Sequence, residues 1–291
     1  MSPGSPRASV IVPMRNAHET VSHQLEALCG QTVQDFEVIV VDNGSTDDSA
    51  SIVQSFQRRL PGLRLITAND GAGVSFARNR GVQAALAANI LLCDSDDVVD
   101  RGWVAAMTLG LQQSDIVGGR LDVTALNSQQ VRSMAAAPPA TALPSAMKYL
   151  PYATGANMGF RRTVFDALSG FDEAYVGGHE EVSFAWRAQK AGFSIEFVPD
   201  AIVNYRLRGT LKGVMRQRFG YGRSYAQMYS RHQDEPIPRA SVQHEVKVIG
   251  EFVLNGPSDM ASGRGAEWVT GAAWTAGRWY GAVKYRVRPP L

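Results

Sequence analysis

The stretch FEVIVVD, residues 36–42, decides the fold class. A strand with one wet face alternates apolar and polar residues. A near-continuous apolar run marks a strand covered on both faces. Upstream, ASVIVPM (8–14) is a second β-branched run, and Val21, Leu25 and Leu28 recur at helical spacing between the two. Downstream, STDDSASIVQSFQRRL reads as a helix, with Ser45 or Thr46 as its cap and Asp47 and Asp48 at its positive end. LRLITA (63–68), VSFARNRGVQAALAA (74–88) and NILLCD (89–94) continue as strand, helix and strand. This alternation predicts an α/β fold with a doubly wound, mostly parallel sheet. Ligands of such sheets bind beyond the carboxyl ends of the strands. Three of those ends are polar: Asp42-Asn43, Asn69-Asp70 and Asp94-Ser95-Asp96-Asp97.

Bulk composition narrows the function classes. The 291 residues are 45% hydrophobic and 19% charged, which is globular and not disordered. A net charge of +2 gives no argument for nucleic acid as a partner. Cys29 and Cys93 do not make a disulfide framework. MSPGSPRASV has no apolar run before Ser9, so no secretory leader is expected. No window holds the about 20 apolar residues of a membrane span. The expected location is the cytoplasm, either free or at the inner face of the membrane.

Past the first hundred residues the pattern loosens. AAAPPATALPSAMKYLP (135–151) reads as a loop. TGANMGFRRTVFDALSGFDE (154–173) reads as a strand and then a helix ending at Gly170. A helix is expected over 181–190 and a strand over 195–198. Arg206, Arg208, Lys212, Arg216, Arg218, Arg223 and Arg231 then occur with no acid among them. They fit a clamp on a diphosphate, a grip on an anionic acceptor, or a membrane-facing surface. The last segment has Val269, Ala272, Ala276, Tyr280 and Val283 at helical spacing, with Trp268, Trp274 and Trp279 among them. It packs on the domain, on a second copy in a homodimer, or on a membrane as a peripheral contact.

The acidic cluster carries the first chemistry. In D-S-D at 94–96, alternate residues of an extended segment point the same way, so Asp94 and Asp96 form a pair with Asp97 beside them. Hard carboxylate oxygens at a strand end suit Mg²⁺ or Mn²⁺ against a diphosphate. The other reading is a solvated turn whose aspartates cap the helix near Trp103. The second acidic feature is HEEVSFAWR (179–187). Glu180 and Glu181 sit at a helix start, where negative charge is favoured. As neighbours they also raise one another's pKa, which suits a base working near neutrality. His179 beside them reads as an exposed, neutral histidine.

Taken together, VIVPMRN (10–16), VDNGSTDDS (41–49), ARNRG (77–81), CDSDD (93–97), GFDE (170–173) and HEEVSFAWR resemble, in order and spacing, the family 2 glycosyltransferases. These are inverting enzymes with the type-A nucleotide-diphospho-sugar transferase fold. The likeness covers residues 8 to about 223. It implies a nucleotide-sugar-binding half at 1–112, an acceptor-binding and catalytic-base half at 113–205, and a basic, aromatic helical extension at 206–291. It implies that Pro13, Arg15, Asp42, Asn43, Arg78 and Asp94 meet the nucleotide. Arg78 also reads as an ordinary surface arginine of its helix. Asp96, with Asp94 and Asp97, would hold Mg²⁺ or Mn²⁺. Glu181, with Glu180 alongside, would be the catalytic base, and Gly155, Asn157 and Trp186 would line the acceptor cleft. The implied donor is a nucleotide diphosphate sugar, a UDP-sugar first, and the acceptor is open. The chain departs from the family pattern at Asn43, Glu181, Ser183 and Asn204, where an acid, an aspartate, a second acid and a histidine are usual. Those departures keep a catalytically silent nucleotide-sugar or glycan binder as a rival. A nucleotidyltransferase is the nearest enzymatic rival, but PMRNAHET lacks the glycine-rich loop it would carry.

Overall fold

Every residue of Phe36–Asp42 is buried, as its apolar run requires. Successive side chains leave the strand on opposite faces. Val38 and Val40 therefore join one core with Val10, Val12, Leu25, Trp103 and Met107. Ile39 and Val41 join the other with Ile11, Leu92, Phe76, Phe160 and Phe184. The sheet is thus the middle of a three-layer sandwich.

The computed structural model describes residues 5–134, 141–238 and 265–288, with single positions at 243, 250, 254 and 256. In chain order its elements are β1 (Ala8–Met14), α1 (Val21–Cys29), β2 (Phe36–Asp42), α2 (Ser49–Ser55), β3 (Leu63–Thr67), α3 (Val74–Ala84), β4 (Asn89–Cys93), β5 (Val98–Val99) and α4 (Trp103–Gln113). Then follow β6 (Ile116–Asp122), α5 (Gln129–Met134), β7 (Asn157–Arg161), α6 (Arg162–Leu168), α7 (Glu180–Lys190), β8 (Ile195–Asn204), α8 (Leu211–Arg231) and a terminal helix, α9 (Gly265–Tyr285). Eight strands form one sheet in the order β3-β2-β1-β4-β7-β6-β8-β5. Strands β1 to β4 run parallel, and β7 enters antiparallel between β4 and β6. The expected boundary at 112/113 falls within this sheet, since β4 pairs directly with β7. Of the loop expected over 135–151, residues 135–140 lie outside the described residues.

Three local expectations are corrected. The second helix starts at Ser49, not behind Ser45 or Thr46. The Ser45 hydroxyl instead accepts the Asn16 N–H at 3.0 Å, and Asp47 takes the Ser49 hydroxyl and its N–H. The aspartates of 94–97 do not cap the helix at Trp103, which follows Gly102 and sends its first N–H to the Asp100 carbonyl. The strand expected over 195–198 runs on to Asn204, across an irregularity opposite Gly119 and Arg120.

The terminal helix packs on an unexpected face. Tyr280 and Val283, on the apolar spacing, are exposed, while Thr270, Gly277, Gly281 and Ala282 are buried. A Cβ at Gly277 would lie 2.1 Å from the Phe219 carbonyl oxygen, and one at Gly222 would lie 2.2 Å from that of Trp274. Helices α8 and α9 therefore meet backbone to backbone, and only glycine permits that approach. The two helices run parallel and together wall a cavity at the carboxyl end of the sheet. There Trp186, Met228, Tyr229 and Ile237 make a third apolar cluster that ties α8 to α7.

Candidate active site

Two cavities open where β1, β2 and β4 end. The first, about 530 Å³, is lined by Pro13, Arg15, Asn43, Asp94, Asp96 and Arg208, among others. The second, about 450 Å³, is lined by Arg78, Asp94, Gly155, Glu180, Glu181 and Tyr221, among others. Asp94 forms part of both walls.

Arg78 joins them. It is 3% exposed, so it is not a surface arginine. Helix α3 turns it inward, where Nη1 donates to Glu180 Oε1 at 2.8 Å and Nη2 to Asp94 Oδ1 at 3.2 Å. Gly155 lies over this guanidinium: a Cβ there would sit 2.5 Å from Nη2. A buried cation thus links carboxylates 86 residues apart, Asp94 on the wall the cavities share and Glu180 in the second.

The three aspartates converge. Among the described residues, Asp94, Asp96 and Asp97 form a cluster whose carboxylate oxygens lie within 4.8 Å of one another. Asp97 is 1% exposed; its Oδ1 accepts the Arg206 N–H at 2.7 Å, and its Oδ2 has no partner among the described residues. Burial, then the charges of Asp94 and Asp96, push its pKa well above the usual carboxylate range. Asp96 moves the same way, from burial first and Asp94 second, while Arg208 at 3.0 Å pulls it back. An orphaned buried oxygen among crowded hard ligands is what a divalent cation relieves, so the residues fit Mg²⁺ or Mn²⁺. The basic run begins here, with the Arg206 Nε–H donating to the Asp96 carbonyl at 2.8 Å. Asn204 is spent on the sheet, donating to the Val98 carbonyl.

Glu181 is in a different state. Its Oε2 is buried and has no hydrogen-bond partner among the described residues. Burial raises its pKa to about 8, the charge of Glu180 adds to that, and Arg78 opposes both. Glu180 already has its cation, and Glu181 does not. His179 is corrected from an exposed histidine to a held one: it is partly buried, its Nδ1 lies 2.8 Å from Ser224 Oγ, and burial lowers its pKa to about 4.

The first cavity also receives Pro13 and Arg15 as expected from their strand end. Asp42, expected to meet the nucleotide, is buried and lines neither cavity; its Oδ1 accepts the Ser45 N–H at 2.9 Å. Asn43 braces the loop after β3. Its amide donates to the carbonyls of Ala68 and Gly71, and its carbonyl accepts the Gly73 N–H at 2.9 Å. Both of its N–H groups are therefore used.

Two acceptor-cleft residues are corrected. Asn157 is fully buried and lines neither cavity: it accepts from Trp103 Nε1 at 2.8 Å and donates to the carbonyls of Arg120 and Ala201. Trp186 is also fully buried, donating to the Leu150 carbonyl and packing against Tyr149 and His232. Asn157→Ala strands three polar groups at once. It is expected to cost about 3 kcal/mol or more in a denaturant titration, with little change in activity of the protein that remains folded. The residues that the sequence reading missed are Tyr152, Tyr205 and Tyr225, which share the second cavity with Tyr221 and Trp274.

Comparison with known proteins places this chain in a family. The model for Glycosyl transferase family 2 matches residues 9–169, more than half of the chain. The chain belongs to glycosyl transferase family 2. Among curated family relatives, the glycosyltransferase AglE of Haloferax volcanii is 25% identical over 228 residues, which are 77% of this chain and 74% of AglE. The uncharacterized glycosyltransferase EpsJ of Bacillus subtilis is 36% identical over 115 residues, so the match spans only 33% of that protein. The glycosyltransferase type-A fold is shared with solved structures. The mannosyltransferase PcManGT of Pyrobaculum calidifontis, in complex with GDP-Man and Mn²⁺, is similar with a TM-score of 0.67 at 18% identity, over 98% of this chain and 88% of that one. S. aureus TarS in complex with UDP-GlcNAc gives 0.53 at 19%, over 77% and 72%. Among the described residues no helix is long and apolar enough to cross a membrane.

Proposed function

We propose that this glycosyltransferase moves a sugar from a nucleotide diphosphate donor to an acceptor hydroxyl or amine in one displacement, with inversion, and that Glu181 is the base. One observation carries the reading: Arg78 joins the acidic rim of the first cavity to the Glu180-Glu181 pair of the second. The donor's diphosphate belongs against Asp94, Asp96 and Arg208, and its sugar then faces the second cavity. Glu181 takes the acceptor's proton, the acceptor oxygen or nitrogen bonds to the anomeric carbon, and the bond from that carbon to the phosphate oxygen breaks. The electron pair leaves with the diphosphate, whose charge Arg208 is positioned to meet. Asp94, Asp96 and Asp97 would hold a divalent ion, which supplies charge neutralisation for the leaving group when bound. Glu180 keeps Arg78 in place and is not free to act as a second base.

The donors held by PcManGT and TarS carry different bases, guanine and uracil, so the base of this donor is tested and not assumed. UDP and GDP with Mn²⁺ or Mg²⁺ are compared by thermal shift, since a ligand of the folded state raises Tm. The expected result is a shift from one nucleotide that disappears with EDTA and in Asp96→Asn. A shift that is unchanged without metal would remove the metal from this reading. Transfer with a donor of the preferred base and product analysis by NMR then test inversion. A product with the donor's anomeric configuration would overturn the single displacement, and silence with every donor would favour the binding-only rival.

A further inference from the structure

The cavity beside Glu181 shares part of its wall with a neighbouring hollow. Arg218 and Trp274 line both, and the other walls of the hollow, about 510 Å³, include Arg132 on α5 and Glu267 on α9. The inner part is lined by ring faces: Tyr152, Tyr205, Tyr221, Tyr225 and Trp274. Aromatic faces carrying polar tips suit the C–H faces and hydroxyls of a sugar. Burial holds the Tyr221 phenol up at about 12, so it remains neutral.

The outer part differs in charge. Arg78 has spent its cation on Glu180 and Asp94. Among the described residues Arg218 and Arg132 take part in no ion pair, although other arginines of the same region do, as Arg208 with Asp96 and Arg231 with Asp172. Among the described residues that line this hollow, two guanidinium groups from separate helices against the one carboxylate of Glu267 leave a positive excess. Such a pair matches a doubly charged phosphate better than a single carboxylate or a neutral hydroxyl.

We propose that the acceptor is a phosphate-bearing saccharide. Its sugar lies on the tyrosine and tryptophan wall with the nucleophilic hydroxyl toward Glu181, and its phosphate lies between Arg218 and Arg132. This rests on reading the Glu181 cavity as the acceptor side.

The test is calorimetric titration of the full chain, saturated with Mn²⁺ and whichever of UDP or GDP binds. The probes are the 1-phosphates of glucose, galactose, mannose and N-acetylglucosamine, each paired with its neutral sugar. At least one phosphate is expected to bind about tenfold or more tighter than its neutral partner. Arg218→Gln and Arg132→Gln should each remove about tenfold of that preference, with nucleotide affinity unchanged. Equal binding of the paired sugars, no binding by any of the four phosphates, or a preference that survives both substitutions overturns the proposal. So does displacement of the sugar phosphate by nucleotide, which would place the anion on the donor side. A second arm compares the best sugar phosphate with the same sugar on a short isoprenyl diphosphate in detergent. Tighter binding of the latter identifies a lipid carrier, equal binding a soluble phosphate, and both retain the arginine pair. Failure of every nucleotide to bind would sink the donor reading, while the sugar titrations still give their own answer.

Discussion

Glu181→Gln is expected to lower kcat for sugar transfer by about 10³-fold, while the nucleotide-induced shift in Tm stays as in the wild type. The substitution keeps size and hydrogen-bonding capacity and removes only the ability to take a proton. Among the described residues Glu181 has no ion-pair partner and its Oε2 no hydrogen bond, so neutralising it leaves no charge stranded. Stability should therefore hold or rise. The pH profile gives an independent reading. The carboxylate is the active form, and burial with Glu180 nearby has raised its pKa to about 8. Below that value most molecules carry the proton and are inactive. The kcat/KM of the wild type should thus rise with pH, with a midpoint near 8 in the free enzyme, and the limb should vanish in Glu181→Gln. A variant within tenfold of wild type, or a flat profile from pH 6 to 9, would move the base elsewhere. Glu180→Gln is the informative contrast. It removes half of the Arg78 clamp, so it should lower Tm before it lowers kcat.

The sequence announces the sheet because its signals are local. FEVIVVD and ASVIVPM are read from period and composition alone, and both strands pair along their full length in parallel register. The acidic rim is legible for the same reason, since Asp94, Asp96 and Asp97 are neighbours in the chain. What fails are inferences about partners. Asn157 looks like a polar residue at a strand start, and nothing near it in sequence reveals that Trp103, Arg120 and Ala201 close around it. Trp186 is assigned to a cleft by position, but α8 and the Tyr149 segment bury it. The terminal helix misleads because it packs through Gly277 and Gly281, while Tyr280 and Val283 of its apolar spacing stay exposed. Arg78 is the sharpest case. A guanidinium in ARNRG reads equally well as wet or buried, and what decides it is Glu180, 102 residues away.

That arginine carries the other large effect. Arg78→Met keeps an unbranched stem of similar reach to Nε and removes the guanidinium and its charge, leaving Glu180 and Asp94 without their cation beside a buried pocket. Breaking one partner out of a buried ion pair costs about 3–5 kcal/mol, so a clear fall in Tm and in the denaturant midpoint is expected. The charge has a second effect. Arg78 lowers the pKa of Glu181, against burial and Glu180. Without it that pKa rises further, and the ascending limb of the pH profile should move to higher pH in whatever protein remains folded. The double variant Arg78→Met/Glu180→Gln separates the two effects. It no longer holds an unpaired glutamate at position 180, so part of the lost stability should return, as a double-mutant cycle would register. Activity should not return with it, because the link from Asp94 to the Glu181 pocket is still missing. If kcat recovers along with Tm, Arg78 is only a structural counter-ion, and the two cavities do not need it to work as one site. If Arg78→Met is as stable as the wild type and keeps its pH midpoint, the guanidinium is not buried between these carboxylates at all.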